Sequence, residues 1–145
     1  MLAWSWSNER KLHVSILVGV DHLVKQRSAG DNMIGRRDLP SCPVATTVSL
    51  IGNKWKPLIL RDVRAGPKRF GELQKSLDGI SQKILTDNLR ELENDGLLVR
   101  TVFPEVPPRV EYSLSELGKT LEPLLDAMAQ WGFTYISIVK DILSK

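Results

Sequence analysis

From Pro43 onward, apolar residues recur at intervals of three and four, and glycine or proline interrupts them at regular points. That period is helical. Val44, Val48 and Ile51 mark a short helix over residues 45–51, ended by Gly52. A second helix begins near Asn53, with Pro57 tolerable in its first turn, and buries Trp55, Leu58, Ile59 and Val63. Ala65-Gly66-Pro67 stops it. Residues 68–70 form a short extended piece. A third helix, roughly residues 71–77, turns Phe70, Leu73 and Leu77 inward. After the turn Asp78-Gly79, Ser81 caps the most strongly periodic helix of the chain, with Ile84, Leu85, Leu89 and Leu92 in its stripe. Asp95-Gly96 ends it, the glycine serving as a left-handed cap.

The period then changes. Residues 97–106 are extended and β-branched, Pro107-Pro108 makes a turn, and residues 109–114 return, which is a β-hairpin with a polar tip. Ser115 caps a last helix running to about Leu143, bent by Pro123 because a proline inside a helix costs a backbone bond. Its apolar positions are Leu117, Leu121, Leu124, Leu125, Met128, Trp131, Phe133, Tyr135 and Ile136. They cover too much of the circumference for a helix lying alone on a monomer surface, so the helix needs a partner. The fold class is therefore mainly α with a small β-hairpin wing.

Residues 1–32 do not share this pattern. Trp4 and Trp6 stand among Ser and Asn, and a short β-prone run leads into a polar stretch ending at Asn32. Two readings stand: Met33 is the native start and residues 1–32 are upstream sequence, or they are an N-terminal arm on a domain spanning residues 33–145. A full-length intact mass from the natural host would exclude the first.

Composition narrows the function. The chain of 145 residues is 42% hydrophobic and 26% charged, with a net charge of +3. This describes an ordinary globular domain, and the charge is too small to imply nucleic acid without regard to its placement. Its single cysteine, Cys42, allows no internal disulfide, and a reducing cytoplasm is the expected location. Both histidines, His13 and His22, precede residue 33. The regular part of the chain thus lacks the usual zinc ligands and an imidazole base for a nucleophile, which argues against an enzyme, a metal or a cofactor. The run from Leu12 to Val24 is too short and too interrupted by Asp21 and His22 to span a bilayer, which takes roughly 20 apolar residues. It is also a poor signal peptide.

A helix, a tight glycine turn, a longer helix and a hairpin make the winged helix-turn-helix plan. The second helix of such a pair fits a major groove about 12 Å wide, with its first turns at the base edges. Here it shows Ser81, Gln82, Lys83, Thr86, Asp87 and Arg90 to solvent. Gln pairs with adenine, Lys with guanine, and Ser or Thr with base or phosphate. Arg109 is expected at the hairpin tip against the sugar-phosphate backbone. Lys54, Lys56, Lys68, Arg69 and Lys75 are expected on flanking helix ends, where phosphate contacts fix register. Asp87, Glu91, Glu93 and Asp95 run the other way, so the acidic end of the helix points off the DNA.

Long motifs then carry a resemblance. They are Cys42-Pro43, Ile51-Gly52-Asn53-Lys54-Trp55-Lys56-Pro57-Leu58-Ile59-Leu60, Arg69-Phe70-Gly71-Glu72-Leu73, Gly79-Ile80-Ser81-Gln82-Lys83-Ile84-Leu85-Thr86, Leu89-Arg90-Glu91-Leu92-Glu93, Gly96-Leu97, Pro108-Arg109-Val110-Glu111-Tyr112-Ser113-Leu114 and Trp131-Gly132. From about residue 36 to the C-terminus the chain resembles the HxlR family of regulators. The resemblance implies a cytoplasmic homodimer built on the first and last helices, which assigns Val44, Val48, Leu121, Leu124, Leu125, Met128 and Trp131 to the interface. It implies binding to double-stranded DNA, with repression the commoner outcome and no effector identified. Two recognition helices about 34–36 Å apart would read a pseudopalindromic operator. A cysteine at the place of Cys42 senses oxidants or electrophiles in several members. A helix N-terminus favours a thiolate, and Arg36 and Arg37 lie near in sequence. The alternative to sensing is an inert thiol. The alternative to the whole reading is a winged-helix module that binds protein, which an apolar recognition face would favour. Gln82, Lys83 and Arg90 point to DNA.

Overall fold

The computed structural model describes residues 39–144, so the readings made of residues 1–32, Met33, Arg36 and Arg37 lie outside the described residues. Helix α1 is Pro43–Ile51, with Pro43 in its first turn, where a missing N–H costs nothing. The Gly52 N–H closes it on the Val48 carbonyl at 2.7 Å. A Cβ at residue 52 would run into that same carbonyl oxygen and the Val48 side chain, so this corner needs a glycine.

Helix α2 is Lys56–Arg64, starting three residues later than the periodicity suggests. The reason is the Asn53 side chain, whose Oδ1 accepts from the N–H groups of Trp55 (2.9 Å) and Lys56 (2.8 Å). These bonds occupy donors that a helix start leaves over. Past α2 the chain turns through Gly66, at φ 140°, into the two-residue strand β1, Lys68–Arg69. Helix α3, Phe70–Ser76, follows directly, and the Glu72 carboxylate accepts from the Arg69 N–H at 2.7 Å, a bond of the capping-box kind.

Helix α4, Gln82–Asn94, is reached through Gly79 at φ 81° and capped by Ser81, whose Oγ accepts from the Ile84 N–H at 3.2 Å. Gly96 leaves it at φ 73°, as expected of a left-handed cap. Strands β2 (Leu98–Phe103) and β3 (Arg109–Leu114) pair antiparallel in register from Leu98↔Leu114 to Phe103↔Arg109. β1 adds to the far side of β3, giving the order β1-β3-β2.

The end of the chain differs from the expectation of one helix bent at Pro123. Ser115 caps a short helix α5, Glu116–Lys119, and a separate helix α6 runs Glu122–Leu143. Pro123 therefore sits in the first turn of α6, where its missing N–H would have had no partner in any case. The break is made by tight turns: the Thr120 N–H bonds to the Leu117 carbonyl and the Leu121 N–H to that of Gly118.

The core joins the helices to the β2–β3 hairpin. Ile59, Leu60 and Val63 of α2, Leu73 of α3, and Leu85, Leu89 and Leu92 of α4 are buried together with Leu97 and Leu98 at the start of the wing. Two positions of α4 depart from the expected stripe. Ile84 is 41% exposed, and Asn88 is buried on the core side. Leu125, expected at a subunit interface, instead closes the core from α6, with Leu121 and Leu124 packed beside it. The architecture is a mainly helical winged helix-turn-helix with a three-stranded antiparallel wing.

Candidate nucleic-acid interface

Burial of Leu85, Leu89 and Leu92 fixes which side of α4 faces out. Ser81, Gln82, Lys83 and Arg90 are exposed on it, and Thr86 is half-buried with its hydroxyl bonded to the Gln82 carbonyl at 2.8 Å. Lys83 reaches Asp87 one turn on, at 2.9 Å. An exposed pair of this kind contributes little and is readily exchanged for a phosphate or a base. Arg90 has no carboxylate partner among the described residues. The helix thus offers an amide, a hydroxyl and two cations on one rigid face.

The flanking cations divide into two groups. Lys54, Lys68 and Lys75 have no ion-pair partner among the described residues; Lys54 lies over the Trp55 ring, 4.3 Å from its centroid. Arg69 is exposed, with Glu111 no nearer than 3.8 Å. Lys56 does not belong with them. It is 3% exposed, and its ammonium lies 2.7 Å from Glu91 and 3.9 Å from Asp95. The expected phosphate contact is instead a strut between the first turn of α2 and the last turns of α4. The acidic run is corrected with it, because Asp95 is buried and Glu91 is spent on Lys56.

Arg109 is also not at the tip. It opens β3 opposite Phe103 and lies over that ring at 3.8 Å. Glu105 at 2.6 Å and Glu111 at 2.5 Å hold its guanidinium and raise its pKa above the ordinary arginine value. The tip is Pro104–Pro108 in sequence, with Val106 fully exposed. Arg100 on β2 is exposed and has no carboxylate partner among the described residues, which makes it the unpaired cation of the β2–β3 hairpin. The sequence reading missed it; a basic residue within an alternating strand was the available signal.

A second surface is formed by α1 and α6. Val44 and Val48 on α1 are each 59% exposed, as are Met128 (45%) and Trp131 (68%) on α6. Trp131 stacks on Tyr135 at 5.4 Å. Val44, Val48, Ile51, Pro57, Leu124 and Met128 line a shallow groove of about 420 Å³ between α1 and α6. Phe133 is not part of that face. Two residues from Trp131, it falls about 200° around the helix, although it too is exposed. Cys42, at the N-cap position of α1, is exposed. No group of His, Cys, Asp and Glu among the described residues is arranged to hold a metal, and no described helix is long and apolar enough to cross a membrane.

Known proteins similar to this chain in sequence and fold include transcriptional regulators. The family model described as HxlR-like helix-turn-helix matches residues 50–140. The HTH-type transcriptional regulator YdeP of Bacillus subtilis (strain 168) is 50% identical over 98 residues, 68% of this chain and 77% of that protein. The redox regulator HypR in its oxidized form superposes with a TM-score of 0.62 at 47% identity, covering 64% of this chain and 96% of that one. The reduced form of the transcriptional regulator YodB from B. subtilis gives 0.57 at 39% identity, covering 63% and 91%.

Proposed function

The chain belongs to the HxlR-like helix-turn-helix family of transcriptional regulators, and from that premise we propose that it is a cytoplasmic homodimeric repressor. In this reading each protomer lays α4 in a major groove of a pseudopalindromic operator. The observation that carries it is the single rigid face of α4. Gln82, Lys83 and Arg90 project from a helix whose other side is locked into the core, so they meet base edges without first being ordered. That face is amide and cationic rather than apolar, which favours DNA over a protein partner. Lys54, Lys68, Arg69, Lys75 and Arg100 serve the phosphates around it and set orientation.

The second copy covers the apolar face of α6 and the groove it shares with α1, where Val44, Val48, Met128 and Trp131 stand exposed. Cys42 is the sensor in this reading. It is exposed at the start of the same helix that lines the groove, and the similar HypR is described as a redox regulator. Oxidation joins the Cys42 thiols of two protomers, or caps each with a small thiol, and the strain reaches α4 through α1. The test is a gel shift on DNA flanking the gene, at physiological salt with excess competitor, using reduced and diamide-treated protein. A specific shift lost on oxidation, and retained by Cys42→Ser, is the expected result. A specific shift that diamide leaves unchanged would remove Cys42 from the account, and no shift on any fragment would move it to a protein partner.

A further inference from the structure

Among the described residues, Asn88 is the one uncharged polar residue that is buried, and it lies on the recognition helix itself. Its Oδ1 accepts from Asn53 Nδ2 at 2.7 Å, across 35 residues of sequence. Its own Nδ2 donates to the Ile84 carbonyl at 2.7 Å, in the first turn of α4. Asn53 in turn holds the start of α2 through its Oδ1 and lines the groove between α1 and α6. One side chain therefore touches three things: the α1–α2 corner, the groove and the helix that would enter DNA.

We propose that Asn53 is a positioning residue for operator recognition, setting the angle of α4 through Asn88. The inference rests on the reading of α4 as the DNA-reading helix. Apolar packing of Leu85, Leu89 and Leu92 seats α4 on the core, but it is non-directional, so it specifies the angle of the helix less sharply than a hydrogen bond does. The bond between the two side-chain amides is part-buried and directional, and Asn88, at 7% exposed, is costly to leave without a partner. The Lys56 strut holds the far end of the same helix, so the two ties together define its orientation. Because Asn53 also lines the groove, a displacement there is carried to the first turn of α4.

Asn53→Asp separates the two roles of this side chain. The aspartate still accepts from the Trp55 and Lys56 N–H groups, so the start of α2 is kept. It has no donor to offer the Asn88 Oδ1, so this bond is lost, and turning the Asn88 amide over to donate to the aspartate gives up its bond to the Ile84 carbonyl. The change also removes one unit of positive charge balance near the DNA face, for which Lys54→Gln is the matched control. Both variants and wild type are titrated by fluorescence anisotropy against an operator obtained by selection from random duplexes, and against an unrelated duplex. Thermal melts run alongside show that each variant is folded.

Lys54→Gln is expected to weaken both duplexes alike. Asn53→Asp is expected to lose about tenfold in operator affinity beyond that control, with its affinity for the unrelated duplex matching the control. If Asn53→Asp, folded, keeps the same operator-to-unrelated ratio as Lys54→Gln, the positioning role is wrong while the DNA reading stands. If wild type itself selects no operator, the DNA reading fails and the inference fails with it.

Discussion

Lys56→Met replaces a buried ammonium by an apolar side chain of similar length, so the packing of its stem is kept and the two ionic contacts are lost. The bond to Glu91 is short, at 2.7 Å, but that carboxylate is 54% exposed, so its net worth is only about 1 kcal/mol. Asp95 lies 3.9 Å away with its side chain 4% exposed. Removing a cation from beside so buried a carboxylate costs about 1–2 kcal/mol more. The total is a destabilisation of about 2–3 kcal/mol, or a urea midpoint lowered by about 1–2 M. The assay is urea unfolding at fixed protein concentration, followed by tryptophan fluorescence. Adding Glu91→Gln to Lys56→Met should cost less than the sum of the two single changes, because they share one contact. The competing idea, that Lys56 binds phosphate, predicts the opposite pair of results. A stability change below about 0.5 kcal/mol, with the slope of log affinity against log salt reduced by about one, would refute the strut.

Other outcomes follow from the same geometry. Gln82→Ala and Lys83→Ala should each relax base preference at one operator position by about 1–3 kcal/mol, measured by competition among single-base variants, while Arg100→Gln weakens all duplexes equally. Trp131→Glu puts a charge into an exposed apolar face and should shift the protein toward monomer in sedimentation equilibrium; an unchanged dimer would place the interface elsewhere. Gly118→Ala drives a Cβ into the Leu97 carbonyl oxygen and should destabilise by about 1–3 kcal/mol in the same urea assay.

The order of elements was legible because it rests on local signals. Ser81, Gly79 and Gly96 sit where a cap, a turn and a left-handed exit are required, and the structure uses each of them so. The exposed face of α4 was legible for the same reason, since a 3.6-residue period assigns the side opposite Leu85, Leu89 and Leu92 to solvent. What depended on contacts between distant segments was not. Lys56 reads as a basic residue at a helix start, and only the approach of α4 makes it a buried strut. Arg109 reads as a tip cation until Glu105 and Glu111 are seen to enclose it. Ile84 was expected in the buried stripe and is exposed, while Asn88 is buried, with the Asn53 amide as a partner that no local pattern announces. Pro123 was misplaced for a different reason: the same residue that breaks a helix interior is favoured in a first turn, and the pattern alone did not locate the break at Thr120 and Leu121.

The central claim is that two copies of α4 read one DNA site together. Selection of bound sequences from random duplexes, followed by hydroxyl-radical footprinting of the enriched site, tests it most directly. The expected result is an inverted repeat whose half-sites are centred about one helical turn apart, protected by two protomers. Enrichment of a site without repeat symmetry, or protection by a single protomer, would contradict it.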